Sequence, residues 1–474
     1  MTRPRLTYLS AADKDFVHEQ TVRLLEQVGV AYNTPKAIDL LAEAGAQVDR
    51  ERLTARVPWS LVERCLASVP RRVLLAARDP RHDRWIEDGS LVCTSDGAAT
   101  YMLDDLSGRR HPGRREDLET MAHLFDALPQ IDFIWATITP LDLDPATAGL
   151  ELAAISLEHC AKHLQDEVRS PEHVGAFVEL LETVAGASLA ERPIYSVTNC
   201  TIAPLQHDAE MTEAHMAMAR SGVPVFVLPM PQMGTTGPMS VLGTGIVTMA
   251  ELLSAVVLYQ LAAPGCAVVA GIGSAVAEMR SGGYLCGTPE VGLINVLCIE
   301  MCKRYGLLTM GSTISTDAKA CNHQAGAEGM LTGMAAALAG AESLLAVGCL
   351  DGAQTASLGK TVLDNDTIGM IRRFCRDDPI DETRALLDDI IEVGIGGHYL
   401  ARRSTRQLHR SGEVWRPAVF QRGTWEEHHR SLVEDAVERA RELLRTHEVA
   451  PLPDEVERRF VEVMGSYRRA HQGR

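Results

Sequence analysis

Aromatic residues are scarce in this 474-residue chain: eight Phe, nine Tyr and five Trp, 5% of the total. That excludes an extensive aromatic cage around a ligand. Basic residues are also in deficit, 46 Lys and Arg against 63 Asp and Glu, for a net charge of −17. Nucleic-acid binders depend on neutralising phosphates, so no nucleic-acid partner is expected. The eleven cysteines follow no framework spacing. Most, such as Cys200, Cys266, Cys298 and Cys349, lie in apolar segments, as reduced core thiols do. The longest apolar runs are interrupted by Gly, Pro or charge and fall short of a membrane span. Met1-Thr-Arg-Pro-Arg5 leads into an acidic amphipathic segment without the apolar stretch of a signal peptide. A cytoplasmic protein with no membrane partner is expected. There is no Walker A sequence and no Gly-x-Ser-x-Gly elbow, and Gly243-Thr-Gly-Ile-Val-Thr is not a dinucleotide fingerprint.

What the chain does have is a repeated alternation. Hydrophobic residues make up 46% of it, enough for a large core. Residues 11–31, 34–45 and 58–68 read as helices, and Val73–Arg78 and Ser90–Thr94 as short strands. From Ile131 onward, β-rich runs alternate with helical segments. The runs begin at Ile131, Pro193, Val223, Cys266, Gly306 and Ser343, with a further one near Lys162-His-Leu-Gln-Asp166. The helices between them include Glu210–Arg220, Thr248–Leu261, Pro289–Arg304 and Gly326–Ala339. Strand–helix repetition means a parallel sheet. Counting the Ser90 strand gives about eight strands, which predicts an α/β fold, a closed (β/α)8 (TIM) barrel. The expected organisation is an N-terminal helical and hairpin extension over 1–90, the barrel over 91–400, and a C-terminal helical extension over 401–474. The last carries a long Glu/Arg-rich helix, Trp425–His447, packed on the barrel's outside.

Polar residues collect where barrel strands should end, the face on which such barrels place their sites. The densest cluster follows Tyr305–Gly311 and contains Asp317, Lys319, His323, Gln324 and Glu328. Asp96 and Tyr101 follow the Ser90 strand, and Asn199 ends the Pro193 strand. Gln232 and Thr236 follow Val223–Leu228, Glu290 opens a helix, and Asp351 follows the Ser343 strand. Cys298 and Cys302 stand four apart on a helix, with Cys286 upstream. They read as core residues, and no metal site is expected. His428 and His429 are adjacent, point apart on a helix, and do not pair as ligands.

Thr316-Asp-Ala-Lys319, Gln324-Ala-Gly-Ala-Glu328, Met230-Pro-Gln-Met-Gly-Thr-Thr-Gly-Pro238 and Glu392-Val-Gly-Ile-Gly-Gly-His398 resemble the trimethylamine methyltransferase family. The resemblance runs from Leu24-Leu-Glu-Gln-Val-Gly-Val30 to Trp415, Pro417 and Arg422. It implies a (β/α)8 barrel, in agreement with the strand count. Archaeal members of that corrinoid-dependent group carry pyrrolysine. This chain has no unusual residue and is similar to the branch without it, which includes glycine betaine:corrinoid methyltransferases. Three positions depart from the family's pattern: Ser404-Thr405 where a His-Thr pair is frequent, Asn322-His323-Gln324 where the first position is often acidic, and His428 where some members have Trp.

The resemblance implies transfer of a methyl group from a quaternary amine, glycine betaine by default, to the Co(I) of a corrinoid supplied by a partner corrinoid protein. No tightly bound cofactor is implied; a homo-oligomer is expected. The leaving tertiary amine departs neutral, so the enzyme mainly binds, orients and desolvates a cation. Asp96, Glu251, Glu290 and Asp317 are the candidate counter-charges, and Tyr101, Tyr284, Phe226 and Trp135 the candidate rings. Lys319, His323 and His398 are candidates for a substrate carboxylate. Asp317, Lys319, Gln324 and Glu328 are the candidate catalytic set; Asp96, Tyr101, Asn199, Gln232, Thr236, Glu251, Glu290, His323, Asp351 and His398 the candidate substrate-binding set. Two other functions compete: a barrel lyase or hydrolase using Lys319, and a scaffold that binds a corrinoid protein without turnover.

Overall fold

The structure is a computed structural model and describes residues 4–97, 99–427 and 430–471. Eight parallel strands close into a barrel. In chain order they are β1 (Val92–Ser95), β2 (Phe133–Trp135), β3 (His163–Asp166), β4 (Tyr195–Cys200), β5 (Val225–Leu228), β6 (Val268–Ile272), β7 (Leu308–Ser312) and β8 (Ser343–Val347). A helix follows each: α1 (Arg115–Ala127), α2 (Ala148–His159), α3 (Val174–Ala185), α4 (Ala209–Arg220), α5 (Val241–Ala262), α6 (Pro289–Tyr305), α7 (His323–Ala339) and α8 (Leu358–Phe374). The (β/α)8 barrel expected from the strand count is therefore present.

The strands are buried on both faces, as covered parallel strands must be. Val92, Phe133, Phe226, Val269, Leu308 and Met310 fill the lumen, and the hairpin Arg72–Leu75/Arg84–Glu87 adds Val73, Leu75 and Ile86 from below. His163 Nδ1 lies 2.8 Å from the Ala76 carbonyl and ties that hairpin to the start of β3. The barrel floor is closed by side chains; the C-terminal end is the open one.

Helix α5 explains the N-terminal extension. It runs 22 residues, and its most apolar 18-residue window has a mean hydropathy of 2.0, which makes it long and apolar enough to cross a membrane. This corrects the expectation that no apolar run reaches that length. Its most apolar window is 72% buried inside the fold, because helices Ala11–Gln27, Pro35–Glu43 and Trp59–Ser68 pack on it. At the other end of the chain, helix Leu432–Thr446 lies on α8 and α1, and helix Asp454–His471 lies on α3. The expected single helix Trp425–His447 is a short turn at Trp425–Glu427 and a separate helix from Leu432. His428 and His429 lie outside the described residues.

Candidate active site

A cavity of about 440 Å³ opens at the C-terminal end of the strands, a volume ordinary for a small-molecule site. Asp96 and Gly97 line it after β1, Trp135 at the end of β2, Glu167 after β3, Cys200 on β4, and Leu228 and Met230 at β5. Gly273, Tyr284 and Cys286 follow β6, Ser312 and Ser315 lie at β7, and Leu345, Gly352, Ala353 and Gln354 lie at β8 and beyond. Every strand end thus contributes to one cavity.

Local geometry fixes the wall near β1 and β2. The Ser95 hydroxyl accepts from the Trp135 backbone N–H and donates to its carbonyl, both at 2.8 Å. The Trp135 indole N–H donates to Asp166 at 3.1 Å. Gly97 lies flat on the indole: a Cβ there would stand 2.3 Å from Trp135 Cδ2, so no larger residue fits without moving the ring. The Asp96 carboxylate accepts from the Gly97 N–H at 2.9 Å. It is buried, and burial pushes its pKa up to about 7. Asp166 behind the indole is likewise pushed up to about 7 by burial. Across the opening, the Tyr284 hydroxyl donates to the Gly273 carbonyl at 2.9 Å, which fixes the ring against the rim. Burial pushes the Cys200 and Cys286 thiols well above their ordinary range, so they are neutral wall atoms.

The expected catalytic cluster forms a brace beside the cavity. Glu328 on α7 accepts from the Thr316 hydroxyl at 2.5 Å and from the Asp317 N–H at 2.8 Å. Asp317 in turn accepts from the Cys286 and Gly287 N–H groups at 2.8 and 3.2 Å. Gln324 donates to the other Glu328 oxygen at 2.8 Å. These carboxylates position the loops that carry Ser315 and Cys286 and do not themselves line the cavity. Lys319 is 71% exposed and ion-paired with Asp351, which Arg110 also contacts at 2.8 Å.

The remaining candidates disperse. Tyr101 is covered by the Arg110 guanidinium, 4.1 Å from its ring centre. Asn199 shares its side of β4 with Val197 and faces the helix layer, whereas Cys200 faces the lumen. Gln232 and Thr236 close a turn at the rim, the Gln232 N–H donating to the Thr236 hydroxyl at 2.8 Å. Glu251 is buried on α5, accepts from Thr201 and the Leu205 N–H, and holds the loop after β4. Glu290 sits in the first turn of α6, where its charge complements the helix N-terminus. His323 opens α7 and lines a separate cavity of about 520 Å³ with Lys360 and Phe420. His398 is exposed on a segment held at the far end of α8, where Arg373, Arg376 and Arg384 converge on Glu413. Helices run opposite to strands, so the segment's anchor is at the floor end of the barrel. Phe226 fills the lumen below the cavity. Cys298 and Cys302 are buried in the core face of α6.

Of the candidate rings and charges, Asp96, Trp135 and Tyr284 meet at one cavity. Sequence reasoning missed Glu167, Ser312, Ser315 and Gln354. Glu167 stands directly after Asp166 at the end of the faintest strand, and position after a strand was the one signal available.

Compared with known proteins, residues 1–471 match the family model for trimethylamine methyltransferase. The chain belongs to the trimethylamine methyltransferase family. It is 28% identical over 451 residues to a trimethylamine methyltransferase of Methanosarcina barkeri, covering 93% of this chain and 91% of that one. It is 27% identical over 391 residues to a trimethylamine methyltransferase of Desulfitobacterium hafniense, covering 82% and 79%. It is also 28% identical over 427 residues to a glycine betaine methyltransferase of Desulfitobacterium hafniense, covering 89% and 88%. Among solved structures, the monomethylamine methyltransferase of Methanosarcina barkeri superposes with a TM-score of 0.51 at 12% identity, covering 98% of this chain and 99% of that one. At that identity the likeness speaks for the barrel alone.

Proposed function

We propose that this member of the family transfers a methyl group from a quaternary ammonium to the Co(I) of a corrinoid carried by a separate protein. The observation that carries the proposal is the mouth cavity in which two carboxyl groups, Asp96 and Glu167, meet two aromatic side chains, Trp135 and Tyr284. Carboxylates and ring faces are the groups that hold a permanent cation out of water. The names of the relatives, methyltransferases of trimethylamine and of glycine betaine, support the methylated-nitrogen class.

The chain's own part follows from that lining. Asp96 and Glu167 supply counter-charge, the rings exclude water from the methyl groups, and the open end leaves one methyl facing the incoming acceptor. The acceptor attacks the methyl carbon in line, the C–N electron pair stays on nitrogen, and the amine leaves neutral. No protein acid is required. Lys319, exposed and paired with Asp351, does not support a Schiff-base lyase.

Docking of a corrinoid protein over the mouth is part of the proposal, with the Lys319–Asp351–Arg110 group on the rim it must meet. The floor-end segment exposes Ile380, Ile391, Ile395 and Leu400. Large aliphatic side chains exposed along one segment support association between copies of this chain. A cytoplasmic location fits the reading. The test is conversion of Co(I) to methyl-Co(III), followed by absorbance, with a reduced corrinoid and a panel of methylated amines. Conversion with quaternary ammonium donors is expected; conversion with trimethylamine and none of the quaternary donors would overturn the proposal.

A further inference from the structure

Charge is distributed unevenly around the cavity wall. Asp96 and Glu167 lie after β1 and β3 with Trp135 between them. Ser312 ends β7 and Ser315 lies in the loop after it; β7 is four strands from β3 and so across the ring from Glu167. Gln354 lines the cavity after β8, between β7 and β1 in the ring, its backbone carbonyl accepting from the Thr100 and Tyr101 N–H groups. Among the described residues, no Lys, Arg or His side chain lines the cavity. The nearby cations are engaged. Lys360 is clamped by both Asp364 oxygens at 2.5 and 2.6 Å and by the Ile314 carbonyl at 3.3 Å. Arg169, 71% exposed, pairs with Glu167 at 3.1 Å from outside.

A monocation placed between Trp135 and Asp96 meets a wall of opposite sign. A carboxylate on the same donor would enter a partly dry space that holds Glu167 and, above about pH 7, the ionised Asp96, with only hydroxyl and amide side chains to receive it. Like charges so confined oppose each other strongly. A hydroxyl on the donor's fourth substituent has no such cost, and Ser312, Ser315 and Gln354 are groups that pair with it.

We infer that the methyl donor this cavity accepts is a choline-type quaternary ammonium, whose fourth substituent carries an uncharged hydroxyl, in preference to a betaine. The inference rests on the reading of the cavity as a quaternary ammonium site. In the step itself, one N–CH3 bond breaks and a Co–CH3 bond forms. Co(I) gives up two electrons to become methyl-Co(III), the C–N pair remains on nitrogen, and 2-(dimethylamino)ethanol leaves without proton transfer.

The experiment uses the full chain with reduced cob(I)alamin as acceptor and choline, tetramethylammonium, glycine betaine and trimethylamine as donors. Calorimetric titration of each donor accompanies the rates. Choline is expected to exceed glycine betaine at least about tenfold in kcat/KM and in affinity, with tetramethylammonium above the betaine as well. Glycine betaine equal to or better than choline would overturn this inference and leave the quaternary ammonium function standing. Turnover of trimethylamine alone would overturn both. Asp96→Asn supplies a second reading. Removal of one negative wall charge should weaken choline and narrow the ratio of choline to betaine affinity. A ratio unchanged in a variant that weakens both donors equally would show that the carboxylate is not what the wall rejects.

Discussion

Asp96 combines three properties seldom found together: it is buried, it faces the cavity, and its carboxyl accepts from the Gly97 N–H. Burial raises its pKa to about 7. An acid whose folded pKa lies above its unfolded value of about 3.9 binds more protons when folded, so stability falls as pH rises from about 4 to 7. Asp96→Asn should therefore raise Tm at pH 8 while leaving it nearly unchanged at about pH 2, below both pKa values, where both states are protonated. Equal shifts at both pH values would contradict that sign. The same titration predicts that affinity for a quaternary cation strengthens from pH 6 to pH 8, because ionised Asp96 is the partner. In Asp96→Asn that dependence should flatten. Gly97→Ala forces a Cβ against the Trp135 ring, and overpacking of this kind costs about 1–3 kcal/mol; donor affinity should drop with it. Asp96, Trp135 and Tyr284 were legible from the sequence because acids and rings at strand ends stand out. Asn199 was not, for a physical reason. Strands buried on both faces lose the alternation that tells inside from outside, so nothing in Thr198-Asn199-Cys200 marks Cys200 as the inward residue.

The eight barrel strands could be read because covered parallel strands are short apolar runs between turn residues. The helices α1, α2 and α3 were passed over. Helix α1 opens with Arg115-Glu-Asp117, which reads as loop, and α2 is apolar on most sides and shows no clean stripe. The loop after β7 misled in another way. Its acid, amide and hydroxyl groups turn toward one another, with Glu328 and Asp317 holding the β6 and β7 loops in place. Glu328→Gln weakens two of those bonds to charged oxygen. A loss of about 1–3 kcal/mol of loop stability is expected. Hydrogen exchange should rise over residues 286–287 and 313–318, and methyl transfer should slow. Protection unchanged over those segments would remove the brace from the account. Lys319→Ala, by contrast, should leave donor affinity intact, since Lys319 lies outside the cavity.

The chain as a unit is organised around one apolar helix and one open mouth. Because α5 is long and apolar, it needs the cover that helices Ala11–Gln27 and Trp59–Ser68 provide. Deletion of residues 1–70 should give aggregated protein by size-exclusion chromatography; a soluble, folded truncation would refute the covering role. At the floor end, Ile391→Asp with Ile395→Asp should lower the molar mass measured by light scattering without altering donor affinity. The central claim is that Asp96 and Glu167, with Trp135 and Tyr284, hold the methyl donor's cation at the barrel mouth. Its most direct test is calorimetric titration of tetramethylammonium into the native protein and into the Asp96→Asn/Glu167→Gln variant, with circular dichroism confirming the fold of both. Loss of the buried Asp96 charge and the partly buried Glu167 charge, together about 1.4 kcal/mol or more, predicts an affinity at least roughly tenfold lower in the variant. Equal affinity in a folded variant would place the cation elsewhere and contradict the account.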